Sequence, residues 1–143
     1  MKRSAGLLLR RASGEVLLVH PGGPFWARKD AGAWSIPKGE YADGDSGVEC
    51  ARREFEEELG ITAPGELVDL GVVKQKNGKE VRAFLGAGDL DVGAIVSNTF
   101  AMEWPPRSGR TQEFPEVDRA EWFSVDEARS KLNPAQAAFL DRL

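Results

Sequence analysis

Hydrophobic and polar positions divide the chain into short runs separated by turn signals. The run AGLLLR (5–10) has no polar residue between Ala5 and Leu9, as a strand buried on both faces would. EVLLVH (15–20) follows across Ser13-Gly14, which predicts a hairpin. Residues 21–32, rich in Gly and Pro, read as a loop. AWSIP (33–37) reads as a short strand and KGEYADGD (38–45) as a second loop. Val48, Ala51, Phe55 and Leu59 then recur at helical spacing. Ser46 and Glu49 form a capping box, and Gly60 supplies a C-terminal stop. ELVDLGVVKQK (66–76) and KEVRAFLGA (79–87) read as strands joined at Asn77-Gly78. AIVSNTF (94–100) is a weaker strand, residues 104–116 a long loop, and VDRAEWF (117–123) a strand. Ser124 with Glu127 caps a second helix, and Asn133-Pro134 opens a third that runs to the C-terminus. The order is mixed α/β without regular βαβ alternation, and the hairpins imply antiparallel pairing.

Composition narrows the class. Hydrophobic residues make up 41% and charged residues 29% of 143 positions, which suits one soluble globular domain over 1–143. The net charge is −4. It disfavours nucleic-acid or membrane binding driven by charge but leaves room for a small anionic ligand. Cys50 is the only cysteine. The apolar stretch before Arg10 is too short for a secretory leader, so a cytoplasmic location is expected. Nothing in the residues sets an oligomeric state.

One segment carries more charge than a helix beside a core should. In REFEEELG (53–60), Glu54, Glu57 and Glu58 are spaced i, i+3, i+4 and share one face. Like charges at that spacing repel, and they stand in the half of the helix where the macrodipole disfavours anions. A bound divalent cation reverses each of these penalties, and carboxylates suit Mg²⁺ or Mn²⁺. A solvated acidic face is the other reading of the same residues. Glu56 lies on another side, four residues after Arg52, and Arg53 lies four residues before Glu57; both spacings predict ion pairs.

The preceding loop decides between the two readings. From Gly39 to Ile61 the chain follows the pattern G-x5-E-x7-R-E-U-x-E-E-x-G-U, with U an apolar residue, except that Asp45 stands in place of the first Glu. In this the chain resembles the Nudix hydrolase family. The resemblance implies an α/β/α sandwich with a mixed central sheet and a Mg²⁺-dependent hydrolase, Mn²⁺ being able to substitute, that cleaves a phosphoanhydride. It implies metal ligation by Glu54, Glu57, Glu58 and the Gly39 carbonyl, with Arg53 orienting Glu57. It makes Lys38 a phosphate-binding or orienting residue. It also implies a further acid late in the chain, for which Glu116 is chosen over Glu113 and Glu121, and either Glu57 or Glu116 as the general base. The substitution at Asp45 bears on support of the metal site, and a turn-and-cap role serves that residue equally well.

Beyond the resemblance, Trp26 and Arg28 on the 21–32 loop are candidates to stack a base and hold phosphates, and Lys74 is a candidate on its strand. Lys76, Arg82, Arg107 and Arg110 are further cations near the same regions. Phe25 is read as packing within its loop, Trp34 and Ile36 as core, and His20 as structural. The expected partner is a small nucleotide or polyphosphate, with nucleoside triphosphates and dinucleoside polyphosphates such as diadenosine tetraphosphate placed first. ADP-ribose, nucleotide sugars, inositol pyrophosphates and a non-hydrolysing nucleotide-binding module are the alternatives.

Overall fold

The computed structural model describes residues 2–76 and 78–143. Asn77, half of the predicted hairpin turn, lies outside the described residues. The chain forms β1 (Arg3–Arg10), β2 (Val16–Pro21), β3 (Lys38–Tyr41), α1 (Gly47–Leu59), β4 (Leu67–Lys74), β5 (Glu80–Ala87), β6 (Thr99–Glu103), β7 (Thr111–Pro115), β8 (Val117–Phe123) and α2 (Val125–Lys131). A 3-10 turn at Val92–Ala94 and a 3-10 helix at Gln136–Arg142 complete it.

The main sheet runs β4-β5-β1-β2-β8, with β3 also paired to β1. β1 pairs parallel to β5 from Arg3↔Glu80 to Arg10↔Ala87 and antiparallel to its other partners, so the sheet is mixed. The uninterrupted LLL run follows from two-sided burial. Leu7 and Leu9, with Leu17 and Val19 of β2, pack toward Cys50, Ala51, Phe55 and Leu59 of α1. Leu8, with Val16 and Leu18, packs on the opposite face toward Ala128 of α2 and Phe139 and Leu140 of the 3-10 helix. Helices therefore cover both faces, and the α/β/α sandwich expected from the sequence is present.

Several boundaries differ from expectation. KGEY is a strand, not a loop: Gly6↔Lys38 through Arg3↔Tyr41 bind it to the first half of β1. Its pattern of residues carries no alternation because it is held by backbone pairing. AWSIP is not a strand. It makes two isolated bridges, Val19↔Ser35 and Trp34↔Leu132, while Trp34 and Ile36 fill the core. The weak strand near 94–100 begins only at Thr99, and the expected loop at 104–116 contains β7, which pairs with β6 as a separate two-stranded ribbon. The C-terminal helix is 3-10, after Asn133 accepts the Ala135 amide at 3.0 Å.

α1 is bounded as its caps predict. The Ser46 side chain accepts the Glu49 amide, and Gly60 ends the helix at φ 69°. A Cβ on Gly60 would also lie 2.9 Å from the Val96 carbonyl oxygen. Gly60→Ala should therefore destabilise the protein by about 1–2 kcal/mol, combining the left-handed backbone penalty with that contact. Thermal denaturation checks this, and an unchanged melting temperature would contradict it.

Candidate active site

The carboxylate face of α1 looks toward β3. Gly39 sits where its missing side chain matters: a Cβ there would overlap the Glu54 carboxyl group. The Glu54 carboxylate thus rests directly against the β3 backbone. The Gly39 carbonyl accepts a weak hydrogen bond from the Cys50 thiol, Sγ to O 3.4 Å. Cys50 itself is buried, and burial pushes its thiol pKa up.

Glu58, one turn beyond Glu54, is the most perturbed acid of this group. Burial pushes its pKa up to about 8, the nearby charges of Glu54 and Glu116 act the same way, and Lys38 opposes them. Its Oε2 is enclosed and has no hydrogen-bond partner. Glu54 is raised for similar reasons, first by burial and then by Glu57, with Arg53 and Lys38 opposing. Lys38 is lowered by burial, against the pull of Glu58. Glu57 is exposed, and its carbonyl receives the Asn98 amide at 3.2 Å.

Glu116 comes from the junction of β7 and β8. Its backbone is held on two sides: its amide donates to the Asn98 carbonyl at 2.8 Å, and its carbonyl accepts from the Gly22 amide at 3.0 Å. The Val96–Asn98 segment also binds the C-terminal end of α1 through Leu59 and Glu57. The acids of α1 and the late acid are thereby built into one framework.

A cavity of about 350 Å³ opens beside them. Its lining includes Lys38, Glu58 and Glu116, with Glu58 sensing the charges of the other two, and also Trp26, Trp34, Gln75, Asn133 and Gln136. The floor is rigid. Gln136 is buried and bridges the Ile36 amide (3.0 Å) and the Ser35 hydroxyl (3.1 Å), and the Trp34 indole donates to Asp30 at 2.7 Å.

The candidates from the sequence separate accordingly. Lys38, Glu58, Glu116 and Trp26 line the cavity; Glu54 and Glu57 do not, although Glu54 senses the charges of Glu57, Glu116 and Lys38. Arg28 and Lys74 are exposed and do not line it. Lys74 is the exposed last residue of β4, and Gln75, just past the strand end, lines the cavity instead. The floor amides of Gln75, Asn133 and Gln136 were missed, since they carry no charge and come from distant segments. The helix ion pairs also differ from expectation. Arg52 instead donates to the carbonyls of Pro64 and Gly65, Glu56 accepts the Ala63 amide at 2.9 Å, and Arg53 lies 3.8 Å from Glu54. Asp45 closes the 42–45 turn, its carboxylate 3.4 Å from the Ala42 amide.

A cation fits this donor set. Among the described residues no three acidic, histidine or cysteine side chains already stand together as a metal cage. Yet Glu58 Oε2 is a buried hard donor without a partner, Glu54 is pressed against Gly39, and both acids are destabilised as anions by burial and then by a neighbouring carboxylate, Glu57 for Glu54 and Glu54 for Glu58. Lys38 and Arg53 offset only part of this penalty, and a divalent cation would offset the rest.

Similarity to known proteins agrees with this geometry. The sequence model of the NUDIX domain matches residues 1–143. Among solved structures, a MutT protein from Methanosarcina mazei Go1 is 24% identical at a TM-score of 0.64, covering 99% of this chain and 91% of that one. A Caenorhabditis elegans Ap4A hydrolase in a binary complex is 20% identical at 0.63, covering 97% and 93%. The NUDIX domain of Shewanella oneidensis NrtR, complexed with ADP ribose, is 14% identical at 0.65, covering 98% and 84%. At these identities the structures speak for the fold, and the match along the whole chain, with the glycine-to-glycine pattern that builds the acidic face, speaks for the family: this chain belongs to the NUDIX domain family, the Nudix hydrolases.

Proposed function

We propose that the protein is a Mg²⁺-dependent hydrolase of a nucleotide phosphoanhydride, acting on a nucleoside triphosphate or a dinucleoside polyphosphate such as diadenosine tetraphosphate. The observation that carries this reading is the mixed lining of one cavity, which combines two acids and a lysine with two tryptophans and three amide side chains. Such a cleft suits a ligand with a phosphate chain and a planar base.

Glu54, Glu57 and Glu58, with the Gly39 carbonyl, are the residues that would hold the cation. When bound, Mg²⁺ supplies Lewis-acid neutralisation of phosphate charge and makes water a better nucleophile. Lys38, beside the same acids, holds a phosphate oxygen. Trp26 offers its ring to the base, and Gln75 and Asn133 offer amide groups to the base edge or sugar, while Gln136 holds the wall behind them. Glu116, lining the cavity from a backbone held on both sides, takes the proton of the attacking water in this reading; exposed Glu57 is the other acid available. Displacement at phosphorus releases a phosphate-containing leaving group, with positioning and charge stabilisation supplying most of the acceleration. Arg53 steadies Glu54, the partner it meets here.

A substrate panel with product identification tests this. It comprises ATP, diadenosine tetraphosphate, ADP-ribose and an inositol pyrophosphate, each with Mg²⁺ and again with chelator. Turnover of one of the first two is expected, dependent on metal. Turnover confined to the inositol compound would overturn the nucleotide assignment, and undiminished turnover in chelator would overturn the metal assignment. ADP-ribose is included because the NrtR domain is described in complex with it.

A further inference from the structure

His20 is the only histidine in the chain and takes no part in the chemistry above. It has no exposed surface. Its Nδ1 lies 2.8 Å from Asp118 Oδ1 and its Nε2 lies 2.7 Å from the Lys29 carbonyl oxygen. Both oxygens can only accept, so the ring is the donor side of these contacts. The edge of the ring also packs against Trp34, with centroids 5.1 Å apart.

The register explains how Asp118 reaches the ring. β2 and β8 pair regularly from Val16↔Phe123 to His20↔Arg119, and the next pair is Pro21↔Val117. Asp118 is the extra residue of a bulge, which re-aims its side chain. It lies two residues after Glu116. Lys29 closes the loop that carries Trp26: its amide donates to the Trp26 carbonyl at 2.9 Å, and its ammonium lies 4.9 Å from the centre of the Trp26 ring. Through one buried ring, the loop carrying Trp26 is tied to the strand that follows Glu116.

We propose that His20 is a positioning residue for the nucleotide cleft, a two-ended strap that holds Trp26 at the cavity wall in register with β8. The inference rests on the reading of this cleft as a nucleotide site. It assigns to His20 an effect on substrate binding, exerted through Trp26, and none on the chemical step. Asp30 anchors the end of the same loop independently, through the Trp34 indole and Lys131, so the segment keeps a tether when the strap is cut.

The test is steady-state kinetics on ATP and diadenosine tetraphosphate with Mg²⁺, using His20→Phe, Asp118→Ala, Trp26→Ala and the His20→Phe/Trp26→Ala double variant. His20→Phe should raise KM about tenfold, a size typical of losing hydrogen bonds to a charged group, with kcat within about twofold. Asp118→Ala should act in the same direction, and it reads the strap if His20→Phe fails to fold. The double variant should show the KM of Trp26→Ala alone, because the strap then has nothing left to position. An unchanged KM, a fall in kcat equal to the loss in kcat/KM, or additive effects in the double variant would each overturn the proposal. If the parent turns over neither nucleotide, the functional reading fails and this inference falls with it. If the parent is active and the effects are independent, the strap alone is wrong.

Discussion

Glu58→Gln should remove metal-dependent turnover, by about a thousandfold, and at the same time make the metal-free protein more stable near pH 8. The two effects have one cause. Glu58 places a carboxylate where burial and the neighbouring acids hold its pKa up to about 8, with one oxygen left unpartnered. The sign follows from proton counting. Between the ordinary carboxylate range and pH 8, the folded state binds a proton that the unfolded state does not. The group's contribution to stability is therefore fully present at low pH and is lost as pH rises toward 8. At ~1.4 kcal/mol per pK unit, the loss amounts to a few kcal/mol across that window. Glutamine keeps the shape and cannot ionise, so in chelator its melting temperature at pH 8 should exceed the parent's by about 5 °C or more and should vary less with pH. Thermal melts in chelator from pH 5 to 8, with turnover in Mg²⁺, read both effects. A variant that loses stability at pH 8, or keeps parental turnover, would show that Glu58 is a structural acid.

Gly39→Ala should separate activity from folding in the opposite way. The position has no left-handed backbone, so alanine is conformationally allowed. What its methyl meets is the Glu54 carboxyl group, the far end of a flexible side chain. The side chain can swing aside at modest cost, and the melting temperature should fall by only a few degrees. Glu54 cannot swing aside and also hold its place against β3. Turnover should drop by about a hundredfold or more, the scale expected when a catalytic constellation is displaced by about an ångström. Rates in Mg²⁺ alongside a melt settle it. Near-parental activity would mean that the close approach of Gly39 to Glu54 serves packing alone.

The two substitutions bear on residues of different legibility. The spacing from Gly39 to Gly60 can be read directly, because helix caps and i, i+3, i+4 faces are local. The perturbation of Glu58 cannot. It arises from burial against β3 and from Glu116, which is more than fifty positions away in the chain. Likewise Gly39 reads as a loop glycine until the pairing of β3 with β1 puts it in a strand beneath Glu54. Among the described residues no helix is long and apolar enough to cross a membrane, as hydropathy along the chain also indicates.

By itself the sequence determined the bounds of α1, the two-sided burial of β1, the hairpin joining β1 to β2, and the acidic face whose spacing marks the family. These depend on neighbours within a few positions, where helical and extended periods leave a direct trace. Only the tertiary structure decided that Gln75 rather than Lys74 lines the cavity, that KGEY is a strand, and that His20 joins Asp118 to Lys29. Those outcomes depend on strand register, on a one-residue bulge in β8 and on contacts between distant segments. A shift of one position sends a side chain to the opposite face of the sheet without altering local propensity.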